Sequence, residues 1–411
     1  MTQPGIATPA ARRALGVGLL AGVLLVSMNL RPAFTSLGPV LADIRVDLGL
    51  SGWAAALLTA LPVLSLGLLA PLAPILSIRI GVERAVGLAL AALAGGLLLR
   101  AVGGVELLIA GTIVAGGAIA IGNVLLPVIV KRDFPERVGR VTGLYTATMA
   151  VTASLAAAVT IPLGGLAGIG WRGGLAAWAL PVTVALVAWW PLMRARARPV
   201  ELAPSGSARA LLRDPLAWQV TLFLGLQSLG FYAMVAWLPS IYRDLGMAPG
   251  EAGLLSAVIP LAAIAGGLTV PAAAARARDQ RAAAFLASIG TVAGFLGILA
   301  APMAAPLLWV AVVGACQGAG FPLALTLVVL RTRTPAETQR LSAMAQTAGY
   351  IVAALGTLLV GAVHDLSGAW LAPMVLLVAL TAAQAWVGVW AGRARFVGGP
   401  PPAEPPERQV S

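Results

Sequence analysis

Long apolar runs, bounded by charged or turn-forming residues, repeat along the whole chain. Most of them exceed 18 residues, a length that is typical of a helix crossing a membrane. A helix satisfies its own backbone hydrogen bonds, as the hydrocarbon core demands. We therefore predict an all-α membrane protein with twelve spans, at about residues 14–37, 52–76, 85–99, 105–130, 141–163, 173–193, 216–240, 252–275, 282–302, 305–330, 341–363 and 370–392.

Composition supports a membrane protein and excludes a soluble globular one. Hydrophobic residues fill 59% of the 411 positions and charged residues 10%, against roughly 25% charged residues in a soluble domain. The polar N-terminus runs into the first apolar run without a convincing cleavage site, so we predict an uncleaved span and not a signal peptide. The single cysteine, Cys316, allows no intrachain disulfide.

The basic residues indicate how the spans are oriented. Of the 27 basic residues, 22 fall in the two tails and alternate connections. The other connections hold four, namely Arg45, Arg100, Arg172 and Arg243. By the positive-inside rule, we predict a multi-pass protein of the cell (inner) membrane with both termini cytoplasmic. The net charge of +12 is then a signal of topology, so the expected partner is the lipid bilayer and not nucleic acid.

The chain divides into two similar halves. Asp47-Leu48-Gly49 and Asp244-Leu245-Gly246 match at an offset of 197, and Lys131 matches Arg331 at an offset of 200. We predict two six-helix bundles related by a parallel repeat. The predicted parts are a cytoplasmic tail (1–13), the first bundle (14–193), a cytoplasmic linker (194–214), the second bundle (215–392) and a disordered tail (393–411).

One charged residue, Arg31, lies well inside a predicted span. Ser27, Arg31 and Thr35 are four residues apart and share one helix face, with Asn29 and Pro32 beside them. Charge within a membrane is costly and by default indicates function. A polar stripe with a proline kink favours a helix that faces a cavity. The alternative is that Arg31 extends toward the headgroups at the end of its helix.

Neutral polar and aromatic residues occur in five further spans. We predict that they line a substrate site together with Arg31, Asn29 and Thr35; they are Asn123, Tyr145, Gln227, Tyr232, Trp237, Gln317, Gln346 and Tyr350. For each of them, an interhelical hydrogen bond is an equally good interpretation. Trp237 is also a candidate interfacial anchor.

Motifs for other chemistry are missing from the sequence. It has one histidine, one cysteine and no Gly-Lys-Ser/Thr loop, so we predict no cofactor, no metal site and no ATP-driven step. We predict a monomeric secondary transporter and not an enzyme. A non-transporting receptor or scaffold is the alternative from another class, and an exporter that stacks aromatic substrates on Tyr145, Tyr232, Trp237 and Tyr350 is the alternative within transport.

Several motifs resemble the major facilitator superfamily, and within it the bacterial cyanate/nitroimidazole porters. They are Asn29-Leu30-Arg31-Pro32-Ala33, Thr35-Ser36-Leu37-Gly38-Pro39, Gly122-Asn123-Val124-Leu125-Leu126-Pro127, Lys131-Arg132-Asp133-Phe134-Pro135, Gly143-Leu144-Tyr145, Gln227-Ser228, Phe231-Tyr232, Ala236-Trp237-Leu238-Pro239, Gln317-Gly318, Phe321-Pro322-Leu323-Ala324-Leu325, Ser342-Ala343-Met344-Ala345-Gln346 and Gly349-Tyr350. The resemblance implies alternating-access transport of a small anion such as cyanate, or efflux of a nitroimidazole-like heterocycle.

The loop between the second and third spans departs from the superfamily pattern. The resemblance implies gating loops at Arg79, Gly81 and Arg84, and at Arg276 and Arg281 in the second half. The superfamily commonly places a gating aspartate at the position of Ile78, so the usual gating salt bridge is not expected here.

Overall fold

The structure is a computed structural model that describes residues 9–50, 52–166, 168–195 and 208–399. Its α-helices are α1 (Pro9–Ser27), α2 (Pro32–Thr35), α3 (Leu37–Asp47), α4 (Gly52–Leu69), α5 (Leu72–Ile80), α6 (Val82–Leu99), α7 (Val105–Asp133), α8 (Val138–Leu166), α9 (Gly170–Ala177), α10 (Ala179–Ala195), α11 (Ala208–Leu211), α12 (Pro215–Asp244), α13 (Pro249–Ala274), α14 (Arg281–Ala300), α15 (Pro306–Leu330), α16 (Pro335–Ser367) and α17 (Leu371–Ala391). These residues contain no strand, and the predicted all-α class is confirmed.

The number of spans agrees with the sequence pattern. Within the described residues, eleven helical segments are long and apolar enough to cross a membrane. The pair Leu61–Leu69 and Leu72–Ile80, bent by 50° at a short break, makes a twelfth if it is counted as one span. Pro71 lies at this break, where its ring and missing N–H prevent a continuous helix.

The first span is broken near its middle. Helix α1 ends at Ser27, a turn covers residues 28–31, and the short α2 begins at Pro32. The helix resumes as α3 and ends at Asp47, so the helix continues beyond the predicted end of the span at about residue 37. Proline is favoured at the first position of a helix, where no N–H is needed, which explains why a new helix begins at Pro32.

The two halves, α1–α10 and α12–α17, pack together at one end of the molecule. We call this end the basic side, because it carries Lys131, Arg137, Arg276 and Arg331. Here α8 crosses α13 so closely that a Cβ atom on Gly143 would lie 2.8 Å from the carbonyl oxygen of Gly267. Small residues allow such close crossing of membrane helices.

Hydrogen bonds also join the halves at the basic side. Lys131 Nζ donates to the carbonyl oxygens of Val329 (3.2 Å) and Thr332 (2.7 Å), at the C-terminal end of α15. Gln339 Nε2 donates to Ser77 Oγ (2.6 Å), and both side chains are buried. The halves are therefore held together where the predicted cytoplasmic loops lie.

The predicted domain limits stay predictions. Much of the predicted linker (196–207) and most of both tails (1–8 and 400–411) lie outside the described residues. On either side of the linker, α10 ends at Ala195 and α12 begins at Pro215. Asp214 caps α12 by accepting hydrogen bonds from the N–H groups of Leu216 (2.7 Å) and Ala217 (3.3 Å).

Candidate functional site

Arg31 lies at the break in the first span, immediately before α2. Its side chain crosses to the second half, where Nη1 donates a hydrogen bond of 2.9 Å to the hydroxyl of Tyr232 on α12. The guanidinium carbon lies 5.1 Å from the ring centre of Phe321 on α15, a cation–π geometry. The break in the helix thus presents a fixed positive charge to the interface between the halves.

Two further tyrosines complete this group. Tyr350 on α16 packs edge-on against Tyr232 with ring centres 6.5 Å apart. Tyr145 on α8 lies close enough to Tyr350 for the two side chains to interact electrostatically. We call Arg31, Tyr145, Tyr232, Phe321 and Tyr350 the Arg31 cluster. The cluster draws on both halves of the molecule.

The Arg31 cluster contains hydrogen-bonding groups without a partner. The hydroxyl of Tyr350 is buried beside the Arg31 guanidinium and that of Tyr145 is buried beside Thr142, but neither reaches a partner in regular hydrogen-bond geometry within the described part of the chain. No carboxylate among the described residues forms an ion pair with Arg31. A buried polar group without a partner costs about 1–3 kcal/mol. Such groups are expected where a ligand or ordered water completes the hydrogen bonds.

Three polar residues of the first half that were predicted to line the site direct their side chains away from the Arg31 guanidinium or make no recorded contact with it. Asn29 Nδ2 donates to the carbonyl oxygens of Leu25 (2.7 Å) and Pro181 (3.4 Å), so its amide joins the end of α1 to α10. Thr35 Oγ1 donates to the carbonyl oxygen of Arg31 (3.3 Å). Asn123 is buried on α7. The structure gives none of the three a hydrogen bond to a side chain of the Arg31 cluster.

The three glutamines lie buried in the second half. Gln227 Nε2 donates to the carbonyl oxygen of Gln317 (2.8 Å), which joins α12 to α15, and Gln346 Nε2 donates to Ser342 Oγ (3.0 Å). The side-chain oxygens of Gln227 and Gln346, and both side-chain polar atoms of Gln317, have no partner among the described residues. Gln227 therefore joins two helices, while its side-chain oxygen can still accept a further hydrogen bond.

Trp237 belongs to a different aromatic group. Its ring centre lies 5.8 Å from that of Trp370, and its Nε1 donates to the carbonyl oxygen of Thr357 (3.4 Å). It also packs against Gly361, where a Cβ atom would lie 2.6 Å from the indole. These contacts place Trp237 between α12, α16 and the start of α17, apart from the Arg31 cluster.

The predicted gating loops carry mostly exposed arginines. Arg79, Arg84 and Arg276 are exposed, and Arg281 pairs with Asp279 at 3.4 Å. Gly81 adopts a φ of 88° between α5 and α6, a conformation that favours glycine. The described hydrogen bond between the halves at this loop is made by Ser77, which neighbours Ile78. A neutral contact therefore occupies the region where the superfamily commonly has its gating aspartate.

Sequence reasoning missed two residues. Phe321 was part of a motif but was not predicted in the site, because an apolar ring on a membrane helix gives no signal of its own. Arg100 was placed in an exposed connection, yet it is 1% exposed. Its Nη1 donates to the carbonyl oxygen of Ala33 (2.6 Å) and its Nε to Thr112 Oγ1 (3.1 Å). The aliphatic part of the Arg100 side chain packs against Gly111. This small residue was the feature of the sequence that could have indicated the burial of Arg100.

Comparison with known proteins agrees with this architecture. Residues 19–357 match the Major Facilitator Superfamily. The chain belongs to this superfamily. It has the superfamily's architecture of twelve membrane spans in two bundles, and it is a multi-pass membrane transporter of small solutes. The predicted fold is thereby confirmed.

Individual relatives narrow the family. The chain is 39% identical to the 2-nitroimidazole transporter of Escherichia coli over 91% of this chain and 95% of that protein. It is 34% identical to the cyanate transport protein CynX of E. coli, over 86% and 91%. It is also 39% identical to the uncharacterized transporter YycB of Bacillus subtilis, over 92% and 94%. The predicted resemblance to cyanate/nitroimidazole porters is confirmed.

Solved structures show the same fold at low identity. The proton:xylose symporter XylE bound to 6-bromo-6-deoxy-D-glucose aligns with a TM-score of 0.77 at 13% identity, over 94% of this chain and 98% of that chain. The transporter FucP in the outward conformation aligns with a TM-score of 0.71 at 13% identity, over 92% and 99%. This likeness concerns the fold alone.

Proposed function

We propose that this chain transports a small anion such as cyanate, bound at the Arg31 cluster, by alternating access. The observation that carries the proposal is the uncompensated guanidinium of Arg31, which has a tyrosine hydroxyl and an aromatic ring as neighbours and no carboxylate among the described residues. A guanidinium stays charged in any protein setting and offers five N–H donors in a planar fork. An anion would supply the missing counter-charge.

The surroundings of Arg31 strengthen an interaction with an anion. Attraction between opposite charges increases as the effective dielectric constant falls, and Arg31 lies half-buried among packed helices, beside the buried rings of Tyr145 and Tyr350. The hydroxyls of Tyr145 and Tyr350, which lack a partner in regular hydrogen-bond geometry, could donate to the same solute. Neutral donors orient an anion without adding a competing charge. The unit proposed to transport is one chain, because both halves of the cluster belong to it.

The packing between the halves supports a state that is closed on the basic side. The contacts of Lys131 and Gln339 would have to separate before solute could leave in that direction. With both termini and the basic loops assigned to the cytoplasm, this state would be closed toward the cytoplasm. The exchange of such a state with its opposite is the alternating access that we propose.

The aromatic part of the cluster favours a second candidate, a nitroimidazole-like heterocycle. The rings of Tyr232, Phe321 and Tyr350 offer stacking surfaces beside the guanidinium, and a nitro group can accept from its fork. One relative is named for 2-nitroimidazole and another for cyanate. A non-transporting receptor, by contrast, has no supporting feature in the geometry.

Uptake into proteoliposomes separates these candidates. Wild-type protein, Arg31→Lys and Arg31→Gln would be compared for uptake of labelled cyanate and of 2-nitroimidazole, with Arg213→Gln as the matched control at an exposed arginine. We expect Arg31→Gln to abolish uptake of the true solute, Arg31→Lys to retain part of it, and the control to match wild type. Wild-type affinity in folded Arg31→Gln would overturn the proposal.

A further inference from the structure

A cavity lies between the halves at the basic side, and its lining shares no residue with the Arg31 cluster. Its volume is about 240 Å³, and three arginines line it: Arg137, Arg140 and Arg276. The only acidic residue in its lining is Glu136. We call it the three-arginine cavity. Three positive charges against one negative charge give it a formal charge of +2, so it is suited to an anion.

The arginines of this cavity are not engaged elsewhere. All three are exposed, and the structure records no ion pair for any of them among the described residues. Three guanidinium groups that face one space repel one another, which an anion would relieve. Arginine recognises phosphate through paired N–H donors better than a point charge does.

The cavity is built from both halves of the molecule. Arg137 and Arg140 lie at the start of α8, and Arg276 follows the end of α13. Between them Gly139 packs directly against the backbone of Pro271, where no Cβ atom would fit. An anion in the cavity would therefore contact both halves beside their closest crossing. Its binding would favour the arrangement in which the basic side is closed.

We propose that the three-arginine cavity binds a phosphate group, carried by an anionic phospholipid or by a soluble phosphate ester, and that the bound phosphate holds the basic side closed. Basic pockets between membrane helices at the cytoplasmic surface are suited to phosphate headgroups. The site is separate from the solute site, since none of its lining residues belongs to the Arg31 cluster. It therefore does not depend on which solute is transported.

Ligand-induced stabilisation tests the binding. The thermal unfolding midpoint of purified protein in neutral detergent would be measured against phosphatidylglycerol, sn-glycerol 3-phosphate and, as the phosphate-free control, diacylglycerol. A ligand that binds the folded state raises this midpoint as its concentration rises above Kd. We expect phosphatidylglycerol to raise it and diacylglycerol not to. A matching rise with glycerol phosphate would identify a soluble source, and no rise with it would identify the lipid.

Variants assign the effect to the cavity. Arg140→Gln and Arg276→Gln should each weaken binding roughly three- to tenfold, and the triple variant with Arg137→Gln should abolish the rise. Arg213→Gln, which removes an exposed arginine outside the cavity, should keep it. Equal stabilisation of wild type and the triple variant, or no stabilisation of wild type by either phosphate compound, would overturn the proposal.

A labelling measurement tests the effect on closure. Ser77 is fully buried at the contact with Gln339, so a cysteine there is protected while the basic side is closed. In a Cys316→Ser background, the maleimide reaction of Ser77→Cys should slow at least threefold with the active phosphate compound. The same compound should leave the rate unchanged when Arg140→Gln and Arg276→Gln are added. An unchanged rate in the protein with all three arginines would refute the coupling to closure.

Discussion

Asp244 accepts a hydrogen bond of 2.7 Å from the indole nitrogen of Trp370, and this contact repeats one in the first half. There Asp47 accepts a hydrogen bond of 3.2 Å from Trp171. In both halves the aspartate ends the first span, and the tryptophan lies at the start of the last span. The internal repeat, inferred from matching residues in the sequence, therefore extends to matching contacts at the end opposite the basic side.

Asp47 gives a prediction about pH. A hydrogen bond from Arg172 (2.5 Å), and a weaker one from Trp171, hold the pKa of the Asp47 carboxyl below its usual range. A carboxyl with a depressed pKa in the folded state stabilises the fold above its unfolded pKa of about 3.9 and loses that contribution as the pH falls below this value. Asp47→Asn should therefore lower the thermal midpoint at pH 7, and the difference from wild type should shrink below pH 4.

Asp244→Asn is the matched control for this pH dependence, because Trp370 is neutral and no arginine pairs with Asp244 among the described residues. Its difference from wild type should change less with pH. The measurement is thermal unfolding of detergent-purified protein between pH 3 and 8. A constant difference between Asp47→Asn and wild type over that range would contradict the assigned cause.

The sequence predicted part of this molecule for clear physical reasons. Apolar run length fixes membrane spans, and Arg31 stood out because a charge inside such a run is costly. Arg100 was not recognised as buried, because it follows Leu99 at the end of an apolar run and resembles a loop residue. Its burial depends on the break in the first span, beside which Arg100 reaches the carbonyl oxygen of Ala33 on α2. The position of Asn29, turned toward α10, likewise depends on that break and not on spacing along an ideal helix.

Arg100 gives the second prediction. Its contact with Ala33 anchors α2, the helix that follows Arg31 directly, so Arg100 is a positioning residue for Arg31. Arg100→Leu removes this contact but also removes a buried charge that forms no ion pair with any described carboxylate. The two effects on unfolding free energy oppose each other, and we expect a net change within about 2 kcal/mol. Solute KM should rise severalfold while the maximal rate changes less, and Arg100→Lys should restore part of the affinity.

Concentration-dependent uptake in proteoliposomes measures both constants for Arg100→Leu. Thr112→Val is the companion variant. It removes the hydrogen bond from the Arg100 guanidinium to Thr112 (3.1 Å) and leaves the one to the carbonyl oxygen of Ala33 (2.6 Å). It should have a smaller effect on KM than Arg100→Leu. A wild-type KM in well-folded Arg100→Leu would show that Arg100 does not position Arg31.

Lys131 gives the third prediction. Its ammonium group caps the C-terminal end of α15 across the interface, where a positive charge is favoured by carbonyl groups that have no partner within the helix. Lys131→Met should weaken the closed basic side by about 1.5 kcal/mol, roughly tenfold in the equilibrium between states. The maleimide reaction of Ser77→Cys in the Cys316→Ser background should then accelerate. Lys131→Arg keeps the charge, so the cysteine at position 77 should react much more slowly in this variant than in Lys131→Met. Equal reaction rates in Lys131→Met and in the protein that retains Lys131 would argue against a role of Lys131 in closure.

The last prediction concerns protons. Glu83 is a buried carboxylate, and it pairs with Arg132 at 2.5 Å on the basic side, at the start of α6. None of the described acidic residues contacts the Arg31 cluster. A proton that accompanies the solute should therefore not be carried by a carboxylate in the middle of the membrane. We expect solute exchange between loaded proteoliposomes and the medium to vary less than twofold between pH 6 and 8. Glu83→Gln should lower stability, because it leaves Arg132 with one acidic partner fewer, and should keep the same flat pH profile. A steep profile in wild type that becomes flat in Glu83→Gln would identify Glu83 as a proton carrier and contradict this prediction.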